Sequence, residues 1–130
     1  TGIDTVAVAV GNCHLKEDGM VKINYEALQT LAEKIDIPLV LHGGTSIARE
    51  DLTKAAGMGV AKVNFGTGMK RAVLNTAKKY FAEHDVDKMD PNDILGRGAG
   101  KDILVLEQEA IIEYVEETIR AMNGEGKALC

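Results

Sequence analysis

Two histidines in this chain stand at the same kind of place. His14 follows the apolar run Val6-Ala7-Val8-Ala9-Val10 and the turn Gly11-Asn12-Cys13, and His42 directly follows Ile37-Pro38-Leu39-Val40-Leu41. An imidazole carried on a rigid strand end has the fixed direction that a metal ligand needs. A merely hydrogen-bonded histidine leaves the same trace in sequence, so the argument rests on the pair and not on either alone. Two glycine-rich turns accompany them, Gly43-Gly44-Thr45-Ser46 behind His42 and Asn64-Phe65-Gly66-Thr67-Gly68 behind a third apolar run. Such turns let backbone approach a ligand closely, and the helix N-terminus beyond adds partial positive charge, which together suit a phosphate. The same glycines also serve to turn a chain tightly. The third histidine, His84, lies among charges at a predicted helix end and is expected on the surface.

The elements that must position these groups can be read from periodicity. Val6–Val10, closed by Gly11-Asn12, reads as a first strand, short, β-branched and buried on both faces as in parallel sheets. Tyr25, Leu28, Leu31, Ala32 and Ile35 recur at helical spacing with Asn24 as cap, and this helix ends before Pro38. Ile37–Leu41 is a second strand, with proline tolerated only at its start. Ser46 is expected to cap a helix that turns Leu52 and Ala55 inward and stops at Gly57 or Gly59. Val60–Phe65 is a third strand, and Met69, Val73, Leu74, Ala77 and Phe81 form the apolar stripe of the helix after it. Residues 85–100 are polar and turn-rich. A last helix presents Leu104, Ile111, Val115, Ile119 and Met122 as its buried face. Strands alternating with helices imply an α/β fold of three parallel βα units plus a terminal helix, either open sheet or barrel. In both architectures chemistry collects at the C-terminal ends of the strands, where all three motifs lie.

Composition narrows the partners. With 45% apolar residues the chain can build a soluble core, and a net charge of −5 gives no basic field to track a phosphate backbone, so nucleic acid is not expected. No apolar stretch approaches the roughly 18 residues of a membrane span and no signal peptide opens the chain, so no membrane partner and a cytoplasmic location are expected. Two cysteines, Cys13 and Cys130, make neither a disulfide framework nor a CxxC pair and are expected reduced.

The succession Gly-Asn-Cys-His, then Pro-Leu-Val-Leu-His-Gly-Gly-Thr-Ser, then Gly-Val-Ala-Lys-Val-Asn-Phe-Gly-Thr closely resembles the class II fructose-bisphosphate aldolase family over nearly the whole chain. Asp90-Pro91, the Leu95-Gly96 turn and the long terminal helix extend the likeness. The resemblance implies the closing part of a zinc-dependent (β/α)₈ TIM barrel, a homo-oligomer, cleaving a phosphorylated sugar, fructose or tagatose 1,6-bisphosphate, to dihydroxyacetone phosphate and an aldehyde. By the same resemblance His14 and His42 match two zinc ligands. Gly43, Gly44 and Thr45 match the turn that holds phosphate, and Asn64, Phe65, Gly66 and Thr67 match the segment whose Asn meets substrate and whose remainder grips phosphate. The implied zinc is a Lewis acid toward the ketone oxygen.

The chain departs from the family pattern at several places. Leu15 stands where the family has a glycine that helps shape a phosphate and monovalent-cation site, Ser46 stands for another glycine, and Phe65-Gly66 replaces Val-Ala. These changes point to a divergent ketose-bisphosphate aldolase. A (β/α)₈ barrel takes roughly 250 residues. Residues 1–130 are therefore expected to be the C-terminal portion of such a barrel, with the N-terminal half as partner. The catalytic base and a further ligand are expected upstream, and the segment alone is expected to be inactive. Two other readings stay open. Lys62 shares a strand side with Asn64 and could serve a Schiff-base aldolase, which borohydride trapping would reveal. The segment could also be a non-catalytic phosphate-binding or assembly module, which the intact mass of the native protein would reveal.

Overall fold

The computed structural model describes residues 2–12 and 20–128. Three short parallel strands, β1 (Val6–Ala7), β2 (Leu39–Leu41) and β3 (Val60–Val63), lie side by side in that order. Helix α1 (Tyr25–Lys34) connects the first pair. A 3₁₀ turn, Gly44–Ser46, and helix α2 (Arg49–Ala56) connect the second. The parallel βα reading of the sequence is thus the observed architecture.

Register assigns the two faces of the sheet. Val6 stands opposite Leu39 and Leu39 opposite Val60, while Ala7, Val40 and Lys62 are aligned across the strands, with Ala61 the extra residue at an irregularity in β3. Aligned side chains share a face. Leu39, Leu41 and Val60 join Leu28 of α1 and Leu52 and Ala55 of α2 in one buried cluster, against which Val6, Val8 and Val63 pack. The other face carries buried Val40 of the central strand between exposed Ala7 and Lys62. β1 therefore alternates between half-buried and exposed positions as far as Ala9, and the expectation of a first strand buried on both faces is corrected. Regular pairing also stops at Ala7, short of the expected Val10.

Local signals explain most boundaries. The Asn24 side chain accepts the Ala27 N–H and starts α1, and Gly57 closes α2 as expected. Ser46 does not cap α2. It ends the 3₁₀ turn, and Ala48, without a side-chain cap, precedes the helix. Val21, ahead of α1, is buried and bridges to Ile47.

The chain divides into two units, Thr1–Gly66 with Thr118–Cys130, and Thr67–Glu117. The second contains α3 (Thr67–Glu83), a 3₁₀ turn at Val86–Lys88, the short α4 (Pro91–Ile94) and most of α5 (Ile103–Ala121). Asp90 caps α4 with Pro91 at its first position. The core of this unit is Tyr80, Ile94 and Ile103. The apolar stripes expected of its helices are corrected. Leu74 is 67% exposed and Phe81 55%, while Leu104, Val115 and Ile119 are also exposed. Burial instead falls on Gly68 and Tyr80 of α3 and Ile103 of α5. A 3.6-residue period marks a face as apolar and says nothing of what covers it.

Candidate functional site

The C-terminal ends of the three strands bring three polar side chains together: Asn12 beyond β1, His42 immediately after β2 and Asn64 immediately after β3. The Asn64 backbone continues the sheet, its N–H donating to the Leu41 carbonyl at 2.9 Å and its own carbonyl accepting from Gly44 N–H at 3.1 Å. That double tie fixes where its side chain starts. Its amide Nδ2 lies 3.2 Å from His42 Nε2 and 3.4 Å from Nδ1. The two residues that the sequence placed at neighbouring strand ends are therefore in hydrogen-bond contact. Asn12 reaches the same place from the other side, Nδ2 donating to the His42 carbonyl at 3.1 Å. No role was read for Asn12 from the sequence. The available signal was its position directly after a strand-closing glycine.

The turn behind His42 is shaped by its glycines. Gly43 sits at φ 72°, in the left-handed region that glycine adopts without penalty. Gly44 is buried, and a Cβ there would come within 2.6 Å of Val63 Cγ1 and 2.7 Å of Phe65 Cε1. Phe65, a predicted phosphate-site residue, thus spends its side chain packing on Gly44 and the core of its unit. The row of bare N–H groups expected in this turn is also reduced. Gly44 N–H goes to Asn64, Ser46 N–H to the Gly43 carbonyl at 3.0 Å, and Ile47 N–H to the Gly44 carbonyl at 3.2 Å. As an anion cradle the turn offers its tight shape and the half-buried Thr45. Gly66 is exposed, with open space around a hypothetical Cβ, so packing does not require a glycine there. Thr67 opens α3 as the first residue of the second unit. Lys62 is exposed on the sheet face opposite the core.

The donor chemistry of His42 fits a zinc ligand. Asn64 can donate to a bare ring nitrogen or, turned over, accept from a ring N–H through its Oδ1. The second arrangement leaves the other ring nitrogen its lone pair for a metal. Among the described residues no group of three His, Cys, Asp or Glu gathers to hold a metal ion. His14, the other expected ligand, and Leu15 lie outside the described residues. His84, expected on the surface, is half-buried in the second unit: its ring stacks on Tyr80 with centroids 4.4 Å apart, and Nδ1 lies 3.0 Å from the Tyr80 carbonyl. It borders a cleft of about 390 Å³ between α3 and α5 that contains none of the residues expected to form the site. Among the described residues no helix is long and apolar enough to cross a membrane.

Comparison with known proteins finds relatives over most of the chain. The chain is 36% identical over 106 residues to the D-tagatose-1,6-bisphosphate aldolase subunit GatY of Klebsiella oxytoca, the match covering 80% of this chain and 37% of that protein. The crystal structure of the YdjI aldolase from Escherichia coli K12 superposes with a TM-score of 0.72 at 29% identity, covering 99% of this chain and 42% of that one. The fructose-bisphosphate aldolase of Campylobacter jejuni shares the fold, with a TM-score of 0.68 at 21% identity over 92% of this chain and 40% of that one. The chain thus spans about two fifths of the length of these relatives. The family model for class-II fructose-bisphosphate aldolase matches residues 1–127, and this chain belongs to that family.

Proposed function

We propose that this chain is the closing part of a (β/α)₈ aldolase barrel and serves a lyase that reversibly cleaves a ketose 1,6-bisphosphate, of the tagatose or fructose type, to dihydroxyacetone phosphate and an aldehyde. The observation that carries the reading is the contact of His42 with Asn64 at the C-terminal ends of adjacent parallel strands, within a chain of this family. His42, with His14, would hold zinc, and further ligands and the base would come from the rest of the barrel, since catalytic zinc takes three protein ligands and keeps one open position. When bound, zinc supplies Lewis acidity toward the ketone oxygen.

The chain's own residues bind and orient. Asn64 holds the His42 ring and presents its amide to the substrate. Gly43, Gly44 and Thr45, with Gly66 and Thr67, would grip one phosphate, so that binding far from the reacting carbons fixes their geometry. Exposed Ala7 and Lys62 on the outer strands, and the sheet edges they form, support a barrel completed by another segment. A homo-oligomer in the cytoplasm belongs to the same proposal.

The test is aldol cleavage of both bisphosphates by the barrel that contains this segment, with zinc and with EDTA. His42→Ala is expected to lower kcat/KM about a thousandfold, the loss of several kcal/mol of stabilisation. Its melting temperature should hold, because the side chain is exposed. Cleavage that survives EDTA would overturn the zinc reading and move the chemistry to Lys62, where borohydride trapping with substrate would show it.

A further inference from the structure

In the ladder between β1 and β2, Val6 N–H donates to the Pro38 carbonyl and Val8 N–H to the Val40 carbonyl, at 3.2 and 3.0 Å. A parallel ladder continued by the same step of two would next join Val10 N–H to the carbonyl of His42. That rung is replaced. Val10 N–H donates instead to Asn12 Oδ1 at 2.8 Å, and Asn12 Nδ2 donates to the His42 carbonyl at 3.1 Å. The Asn12 carboxamide is inserted between the two groups that would have paired.

The surrounding backbone is built to place it there. Gly11, at φ 94°, turns the chain back, and a Cβ on it would meet the Lys22 carbonyl oxygen at 2.8 Å. Val10, 1% exposed, has its carbonyl satisfied by Asn24 N–H at 2.8 Å. Its N–H is satisfied by Asn12, so both backbone groups of this buried residue are paired, as burial demands.

We infer that Asn12 is a positioning residue of the site: its carboxamide holds the ends of β1 and β2 one amide group apart and fixes the backbone of His42, and with it the direction of the imidazole. This rests on the reading of His42 as a ligand given above. A direct rung between Val10 and His42 would bring the strand ends to ordinary ladder spacing and shift the ring. Displacements on that scale are costly at a site that requires fixed geometry.

Asn12→Asp separates positioning from simple structural support, because a carboxylate still accepts the Val10 N–H but cannot donate to the His42 carbonyl. In the full barrel, zinc affinity is measured by competition with a chromogenic chelator, and the imidazole ¹⁵N resonances of His14, His42 and His84 are read without metal. The expected result is zinc binding weakened about 10- to 100-fold. The His42 resonances should shift with those of His84 unchanged, kcat should fall more than KM rises, and the melting temperature should stay near that of the parent. Asn12→Asp with parental zinc affinity and parental His42 resonances, whatever its stability, would overturn the inference. If the parent barrel shows no EDTA-sensitive cleavage, the proposed function falls and the His42 resonances alone decide the role of Asn12.

Discussion

The two units of the chain are held together in different ways. In the first, among the described residues, nine buried apolar side chains from the sheet, α1, α2 and their connections form one cluster. In the second the buried cluster is Tyr80, Ile94 and Ile103, with Ala77, Met89 and Leu106 packed against it, and polar ties add to it: Tyr80 Oη donates to the Lys101 carbonyl at 2.7 Å, and Asp102 ties the loop at Gly98 to the start of α5. Leu74, Phe81, Leu104 and Ile112 are all close to half exposed or more. The first unit supplies its own core on one sheet face, and its chemistry-bearing residues project from strand ends that this core holds still. The second carries apolar surface that its own helices leave open.

The largest contrast should appear on truncating one apolar side chain in each unit. Leu41, fully buried in β2, should cost about 3 kcal/mol as Leu41→Ala, within the range for core leucines. Leu74→Ala, from a side chain two-thirds exposed, should cost less than about 0.5 kcal/mol. Urea denaturation followed by circular dichroism measures both. Equal costs in the full protein would break the comparison and show that a partner surface covers the α3 face.

A finer test lies inside the first unit. Gly44→Ala puts a methyl group where Val63 and Phe65 already stand. Neither neighbour is the loose end of a long side chain, so the turn must move, at about 1 to 3 kcal/mol. If the turn holds a phosphate, KM for the bisphosphate should rise while KM for an unphosphorylated ketose stays the same. A rise in both would assign Gly44 to packing alone.

What the sequence made legible follows the same division. The end of β2 at Leu41, the Asn24 cap and the placement of His42 beside Asn64 came from patterns set by neighbouring residues, and they survive in the structure because parallel βα units repeat one local geometry, whereas β1 and β3 end short of the expected Val10 and Phe65. The role of Asn12 was not legible. It depends on where the ladder to β2 breaks off, and the apolar run Val6–Val10 gives no sign of a break at that point. Ser46 failed as a cap because the two glycines before it close a 3₁₀ turn first. The stripes through Leu74 and Phe81 were read correctly as apolar and wrongly as buried, since burial belongs to the partner surface and not to the period. His84 was placed by its charged neighbours, but its ring found Tyr80 one helical turn back, an i, i+4 pairing that local charge does not announce.

The smallest expected effect concerns the polar definition of the second unit. Asp102 is 1% exposed and caps α5, Oδ1 accepting from Leu104 N–H at 3.0 Å and Oδ2 from Gly98 N–H at 2.8 Å. The Gly98 hydrogen bond holds its carboxyl below the usual carboxylate range, burial works against that shift, and the N–H groups of Leu104, Gly96 and Arg97 add to it. The unfolded chain takes up this proton near pH 3.9. A folded value below that means the contribution of Asp102 is complete above about pH 4 and fades as pH falls from there toward the folded value. Asp102→Asn keeps one acceptor but turns an NH₂ toward a backbone donor, so it should be less stable than the parent at neutral pH, with the difference narrowing below about pH 4. Thermal melts from pH 7 to 3 measure it. Curves that stay parallel across that range would show that the charge of Asp102 contributes nothing, and that the loop before α5 is held by the Tyr80 hydroxyl and the apolar contacts of Ile94 and Ile103 instead.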